Sequence, residues 1–239
     1  MIEDKTVTIE KPLVVLFSGG VHSSLAVSLM ASRHNPIVCL TLKRFGIYDD
    51  DQIADRVVRL KKRFPATDIR SVVLPFDDEY KALVRRNRFR LMSMSLCGLC
   101  KLAMHWRTLR YCREQKIENV CDKAESSMVQ YPDQNEGMLL GLLRGLYPEF
   151  GVSYETPVFH SGDKAEHTLY RMGVTSKRNI RGTSDDRQIV CTQQRMFKFF
   201  VDYYVGARGW DAYVADTRRF YAEQVDFVRE SLGRDDVPR

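Results

Sequence analysis

The segment Leu13–Met30, LVVLFSGGVHSSLAVSLM, leaves the chain few ways to fold. A run of apolar and β-branched residues, Leu13 to Phe17, drives into Ser18-Gly19-Gly20, and apolar residues at helical spacing (Leu25, Leu29, Met30) follow at once. A short apolar run bounded by glycine suits a strand buried on both faces, with helices packed over the sheet. In open α/β sheets, ligands bind beyond the carboxyl ends of the strands, beside the first strand-to-helix turn. Here that turn is Ser18 to Ser24. Glycines let backbone amides approach phosphate oxygens closely, and a helix N-terminus adds unpaired N–H groups and a favourable dipole. Ser18, Ser23 and Ser24 offer hydroxyls. No lysine follows the glycines, so the turn is not of the GxxxxGK(S/T) type, and it is not GxGxxG.

The strand-and-helix alternation continues. Pro36–Leu42 and Ile69–Phe76 read as a second and third strand, Ile117–Asp122 and Val152–Phe159 as a fourth and fifth. Asp50–Phe64 reads as an amphipathic helix whose opening aspartates favour the positive end of its dipole. A long helical stretch runs from about Glu79, breaks near Ser93–Ser95, and carries Cys97 and Cys100. Strands separated by helices of this length predict right-handed crossovers and a parallel five-stranded sheet with helices on both faces. From Ser161 the chain is polar and loop-like through GVTSKRNIRGTSDDRQ, then helical from about Ile189 to Leu232. An aromatic stripe there (Phe197, Phe199, Phe200, Tyr203, Tyr204) is expected to pack in a core. Residues 1–160 are thus expected to form an α/β unit, and residues 161–239 a loop and helical region packed on it.

No stretch approaches the roughly 18 apolar residues of a membrane span, and the N-terminal MIEDKTVTIEK lacks the layout of a signal peptide. A cytoplasmic location with no membrane partner is the expectation. The net charge of +6 over 239 residues permits a polyanionic partner without demanding one. The arginine-rich Lys81–Arg90 reads as a solvated helix face.

With Val21 as the free position, SGGVHS resembles the SGGxDS signature of the PP-loop ATP pyrophosphatase family, the adenine nucleotide α-hydrolase-like fold. The preceding strand and following helix agree with it. The resemblance implies a Rossmann-like variant in which ATP and Mg²⁺ adenylate a substrate oxygen, pyrophosphate leaves, and a nitrogen or sulfur nucleophile displaces AMP. It implies nucleotide contacts from Phe17, Ser18, Gly19, Gly20, His22, Ser23 and Ser24, from Leu42 in the second strand, and from Asp122 and Lys123 after the fourth, with Glu125 in the same loop. His22 departs from the signature, whose aspartate is associated with the metal-bound pyrophosphate. A carboxylate is a hard oxygen ligand suited to Mg²⁺ and an imidazole is not. His22 can instead hydrogen-bond a phosphate oxygen, more strongly when protonated, which makes it a catalytic candidate. A nucleotide-binding protein with silent chemistry is the alternative this residue raises.

The six cysteines, Cys39, Cys97, Cys100, Cys112, Cys121 and Cys191, sit in a chain expected to be reduced. Cys39, Cys112 and Cys121 fall on apolar strand or helix positions and read as core. The CxxC of Cys97 and Cys100 can be half a zinc site, a redox pair, two cluster ligands, or buried small residues, and no second CxxC completes a zinc ribbon. Here the sequence resembles the iron–sulfur type of PP-loop tRNA thiolase. That resemblance implies that Cys97, Cys100 and Cys191 hold a 4Fe–4S cluster with one iron open to bind sulfide. Cluster-free PP-loop thiouridylases imply instead that Cys100 and Cys191 are a nucleophile and persulfide pair. Lys177, Arg178 and Arg181 offer cations to departing pyrophosphate. The expected function is ATP-dependent sulfur transfer to a tRNA base or a small nucleobase-like acceptor, with a sulfur donor protein and a homodimer compatible with it. The runner-up is an amide-forming PP-loop ligase that uses ammonia.

Overall fold

A computed structural model of the chain describes residues 11–45, 51–89, 93–161, 164–175 and 192–234. Five strands, β1 (Leu13–Leu16), β2 (Ile37–Lys43), β3 (Ile69–Pro75), β4 (Asn119–Cys121) and β5 (Ser153–Glu155), form one parallel sheet in the order β3-β2-β1-β4-β5. The chain steps outward from β1 through α1 (Val21–Met30) to β2, and through α2 (Asp51–Arg63) to β3. It returns by way of α3 (Asp77–Arg86) and α4 (Ser93–Gln115), so that β4 pairs on the other side of β1. This reversal opens a crevice past the ends of β1 and β4, where sheets of this kind hold their ligands.

Strand β1 is apolar throughout because it serves two cores. Val14 and Leu16 pack with Val38, Leu40 and Leu42 beneath α4, α5 (Leu139–Glu149) and α8 (Trp210–Arg234). Leu13, Val15 and Phe17 pack with Ile37 and Cys39 beneath α1, α2 and α6 (Lys164–Arg171). Cys39, Cys112 and Cys121 are core residues, as expected. Burial pushes the Cys39 and Cys112 thiols up to about 12 and Cys121 well above its ordinary range, so none of the three ionises near neutral pH.

Three expectations change. Helix α6 falls where a loop was expected; its sequence is largely polar because only Ala165 and Leu169 are buried. The C-terminal helical region is two helices, α7 (Thr192–Arg208) and α8, parted by Gly209 at φ +84°, a conformation that glycine adopts without a Cβ penalty. The aromatic stripe is divided: Phe197 is buried, Phe200 and Tyr204 are half-buried, and Phe199 and Tyr203 are exposed. Helix α7 packs on α4 and α8, with Phe197 stacked on Tyr131 and beside Met138. The described part of Lys81–Arg90 behaves as expected, with Lys81, Arg85, Arg86 and Arg88 outward and Leu83 in the core. Among the described residues no helix is long and apolar enough to cross a membrane.

Candidate active site

The turn after β1 is built by backbone. Gly19 has φ +72°, and a Cβ there would lie 3.1 Å from Ile53 Cγ1 and 3.3 Å from Ile53 Cα at the start of α2. Glycine is needed on both counts. Gly20 caps α1 in an extended conformation with no side-chain hydrogen bond, so no cap side chain occupies the first amides of the helix. The serines brace the turn. Ser23 Oγ donates to Gly20 O at 3.1 Å and lies 3.3 Å from Ser18 Oγ, while Ser24 Oγ donates to Gly20 O at 2.8 Å. Both Ser23 and Ser24 are fully buried. Thr41 Oγ1 donates to Phe17 O at 2.9 Å and ties the end of β2 to the turn.

Beyond the strand ends lies a cavity of about 420 Å³. Phe17, Ser18 and His22 line it from the turn, Leu40, Thr41 and Leu42 from β2, and Asp122, Lys123 and Glu125 from the segment after β4. Helix α4 adds Cys97, Cys100, Lys101, Met104 and His105, which at spacings of three and four residues form one helical face. The 3₁₀ turns Ser126–Met128 and Pro132–Gln134 supply Met128, Asp133 and Gln134.

A polar network runs along this wall of the cavity. Lys101 Nζ lies 3.3 Å from Asp133 Oδ2, which also accepts from Gln134 Nε2 at 2.6 Å. The Asp133 carboxylate raises the Lys101 ammonium above the ordinary lysine range. Burial pushes the Asp133 carboxyl up, but Lys101, Gln134 and His105 together outweigh it and hold it below the carboxylate range. Burial, then the neighbouring Lys101 charge, lowers Lys123. Burial also lowers His105, whose Nδ1 lies 2.8 Å from Tyr147 Oη and whose Nε2 lies 3.6 Å from Asp122 Oδ2. Asp122 further accepts from the Lys123 N–H at 2.6 Å and the Tyr154 hydroxyl at 3.4 Å, while Tyr147 and Tyr154 stack with centroids 4.6 Å apart.

Cys97 and Cys100 both open onto the cavity from positions held by packing. Between them Gly98 is pressed against α8: a Cβ there would lie 2.0 Å from the buried Tyr221 hydroxyl. Cys97 packs against the small core of Met138, Phe197, Val201 and Tyr213. Arg44 Nε donates to Cys100 Sγ at 3.3 Å, with the guanidinium 4.5 Å over the Tyr80 ring. Two thiols of this kind suit a soft metal or a persulfide. Among the described residues they are not joined by a third ligand, since no group of three His, Cys, Asp or Glu side chains there could hold a metal ion.

Of the residues singled out from the sequence, Phe17, Ser18, His22, Leu42, Cys97, Cys100, Asp122, Lys123 and Glu125 line this one cavity. Gly19, Gly20, Ser23 and Ser24 form the turn beneath it. Cys191, Lys177, Arg178 and Arg181 lie outside the described residues. Lys101, His105, Asp133 and Gln134 were not anticipated; the helical face shared with the CxxC is the signal that would have found the first two.

No protein-family model and no curated protein matches the chain. Among solved structures, the U34-tRNA thiolase NcsA from Methanococcus maripaludis with its 4Fe–4S cluster is 13% identical, at a TM-score of 0.47 over 92% of this chain and 74% of that one. The NMN synthetase from Francisella tularensis is 13% identical, at 0.48 over 92% and 87%. A predicted subunit of tRNA methyltransferase from Methanocaldococcus jannaschii is 16% identical, at 0.43 over 83% and 88%.

Proposed function

We propose that this chain is an ATP-dependent sulfur-transfer enzyme acting on a tRNA base or a small nucleobase-like acceptor. The observation that carries this reading is the cavity itself, whose walls include both Ser18 and His22 of the turn that opens α1 and the thiols of Cys97 and Cys100. A phosphate cradle alone would fit many activities; sharing a chamber with a CxxC favours sulfur chemistry.

In this reading the triphosphate lies against the amides that open α1, where the dipole and close backbone approach favour an anion. The acceptor oxygen attacks the α-phosphorus and pyrophosphate leaves. A sulfur nucleophile then attacks the acceptor carbon, and AMP departs with the original oxygen. Lys101, held by Asp133, sets positive charge in the cavity wall beside the departing phosphates, with Lys123 next to it as a further hydrogen-bond donor. Cys97 and Cys100 are the described residues proposed to handle sulfur, with Cys191 as the third. Together the three would hold a 4Fe–4S cluster, which when bound supplies an iron site for sulfide. In the alternative arrangement Cys100 and Cys191 work as a persulfide pair.

Two assays test the reading. Radiolabelled ATP incubated with the enzyme, a sulfide source and an RNA or nucleobase pool should yield AMP and pyrophosphate in an acceptor-dependent way. Iron and acid-labile sulfide should co-purify anaerobically with wild type and be lost in Cys97→Ala. Nucleotide binding with no AMP formed under any acceptor would instead leave a silent binding protein, and AMP formed with ammonia but not sulfide would leave the amide ligase.

A further inference from the structure

The three acids of the cavity are held differently. Asp122 is engaged by Lys123, Tyr154 and His105, and Asp133 by Lys101 and Gln134. Glu125 reaches the phosphate turn: its Oε2 lies 3.2 Å from His22 Nε2 in the first turn of α1. The approach is not a hydrogen bond, for His22 Nε2 is buried and has no aligned partner. The Glu125 side chain has one further partner, and the backbone beneath it is held. Its Oε1 accepts from Ser127 Oγ, and the Glu125 N–H donates to Gln134 Oε1 at 2.7 Å.

Glu125 lines the same cavity as Ser18 and His22 of the turn, so a nucleotide held on the turn would share that space with this carboxylate. Magnesium bound to a nucleotide keeps several waters and takes only one or two protein carboxylates beside the phosphate oxygens. One carboxylate is therefore sufficient, and a complete protein cage is not needed. The turn itself supplies none, because position 22 is a histidine and the other residues from Ser18 to Ser24 are glycine, valine and serine. We infer that Glu125 is the magnesium-facing carboxylate of this site, reaching across from the segment after β4 to do what the turn cannot, with the His22 imidazole seated between it and the helix. The inference rests on the proposed nucleotide site.

Equilibrium binding of an ATP analogue that resists cleavage between its α and β phosphates, with Mg²⁺ and with EDTA, tests it. Wild type should bind about tenfold or more tightly with Mg²⁺. Glu125→Gln should lose that gain while metal-free binding persists. Glu125→Asp, or His22→Asp added to Glu125→Gln, should recover part of the gain by returning a carboxylate to the same space. With Mn²⁺ as probe, nucleotide-dependent loss of the free-ion EPR signal should follow the same pattern. Full magnesium dependence in Glu125→Gln overturns the inference, as does a loss of metal-free and magnesium-bound affinity in equal measure, or a loss that neither aspartate variant repairs. Wild type that binds the analogue equally well with and without metal overturns it and leaves the nucleotide site standing. Wild type that binds no analogue in either buffer removes the nucleotide site and the inference together.

Discussion

The two walls of the cavity are made by opposite means. The turn after β1 is shaped by backbone: Ser23 and Ser24 are turned inward onto Gly20 O, Ser18 and His22 reach the cavity, and the conformation is dictated by Gly19. The α4 wall presents side chains on a regular helix, held by partners from the segment after β4, from β5, α5 and α8, and from the 3₁₀ turn at Pro132–Gln134. A glycine sits at each wall for a different reason. Gly19 is required by a positive φ and a close neighbour, Gly98 only by a neighbour, since its own backbone is helical. The first wall should therefore tolerate change in stability but not in ligand affinity, and the second the reverse.

Substitutions separate the walls. The largest stability loss is expected at Gly98→Ala, because the new methyl meets a ring that is itself fully buried. Overpacking of this kind costs up to about 3 kcal/mol, read as a fall in the urea midpoint at constant slope. Asp133→Asn strands the Lys101 charge. Breaking a buried pair costs about 3–5 kcal/mol, but the Lys101 side chain is 33% exposed, which reduces the expected loss to about 2 kcal/mol in the same measurement. Gly19→Ala should cost about 2 kcal/mol of stability, from the positive φ and the approach to Ile53, yet weaken ATP at least about tenfold by calorimetry, since the amides no longer converge. If Gly19→Ala and Gly98→Ala changed affinity and stability in the same proportion, the contrast between the walls would fail.

The smallest effect is a slope. Burial holds the folded His105 below the usual 6.5 of histidine. As pH falls below about 6.5 the unfolded chain therefore takes up this proton first, and stability declines until the folded value is passed. His105→Gln, which can still bond Tyr147, should flatten that decline in urea titrations between neutral and mildly acid pH. An unchanged slope would mean that His105 is not buried in its neutral form.

The same contrast governs what the sequence could reveal. Strands β1 and β2 were legible because burial on both faces leaves an unbroken apolar run, and the turn was legible because its chemistry lies in consecutive residues. Helix α6 escaped notice because burial of Ala165 and Leu169 alone imposes little pattern. Lys101 and His105 escaped because a lysine or histidine on a helix gains meaning only from its partners, and Asp133, Tyr147 and Tyr154 are remote in sequence. The α7 stripe was misjudged for a related reason. Phe197 and Phe199 are equally apolar, and tertiary packing, with Tyr131 and Met138 on one side of α7, buries one and exposes the other.

The proposed function requires ATP in the cavity between these walls. Photo-crosslinking with an azido-adenine ATP, followed by peptide mapping, tests it directly. The label should fall on peptides carrying the β1 turn, the end of β2 or the segment after β4, compete with unlabelled ATP, and fade in Gly19→Ala. Specific label elsewhere on the chain, or label on these peptides that Gly19→Ala leaves unchanged, would contradict the account.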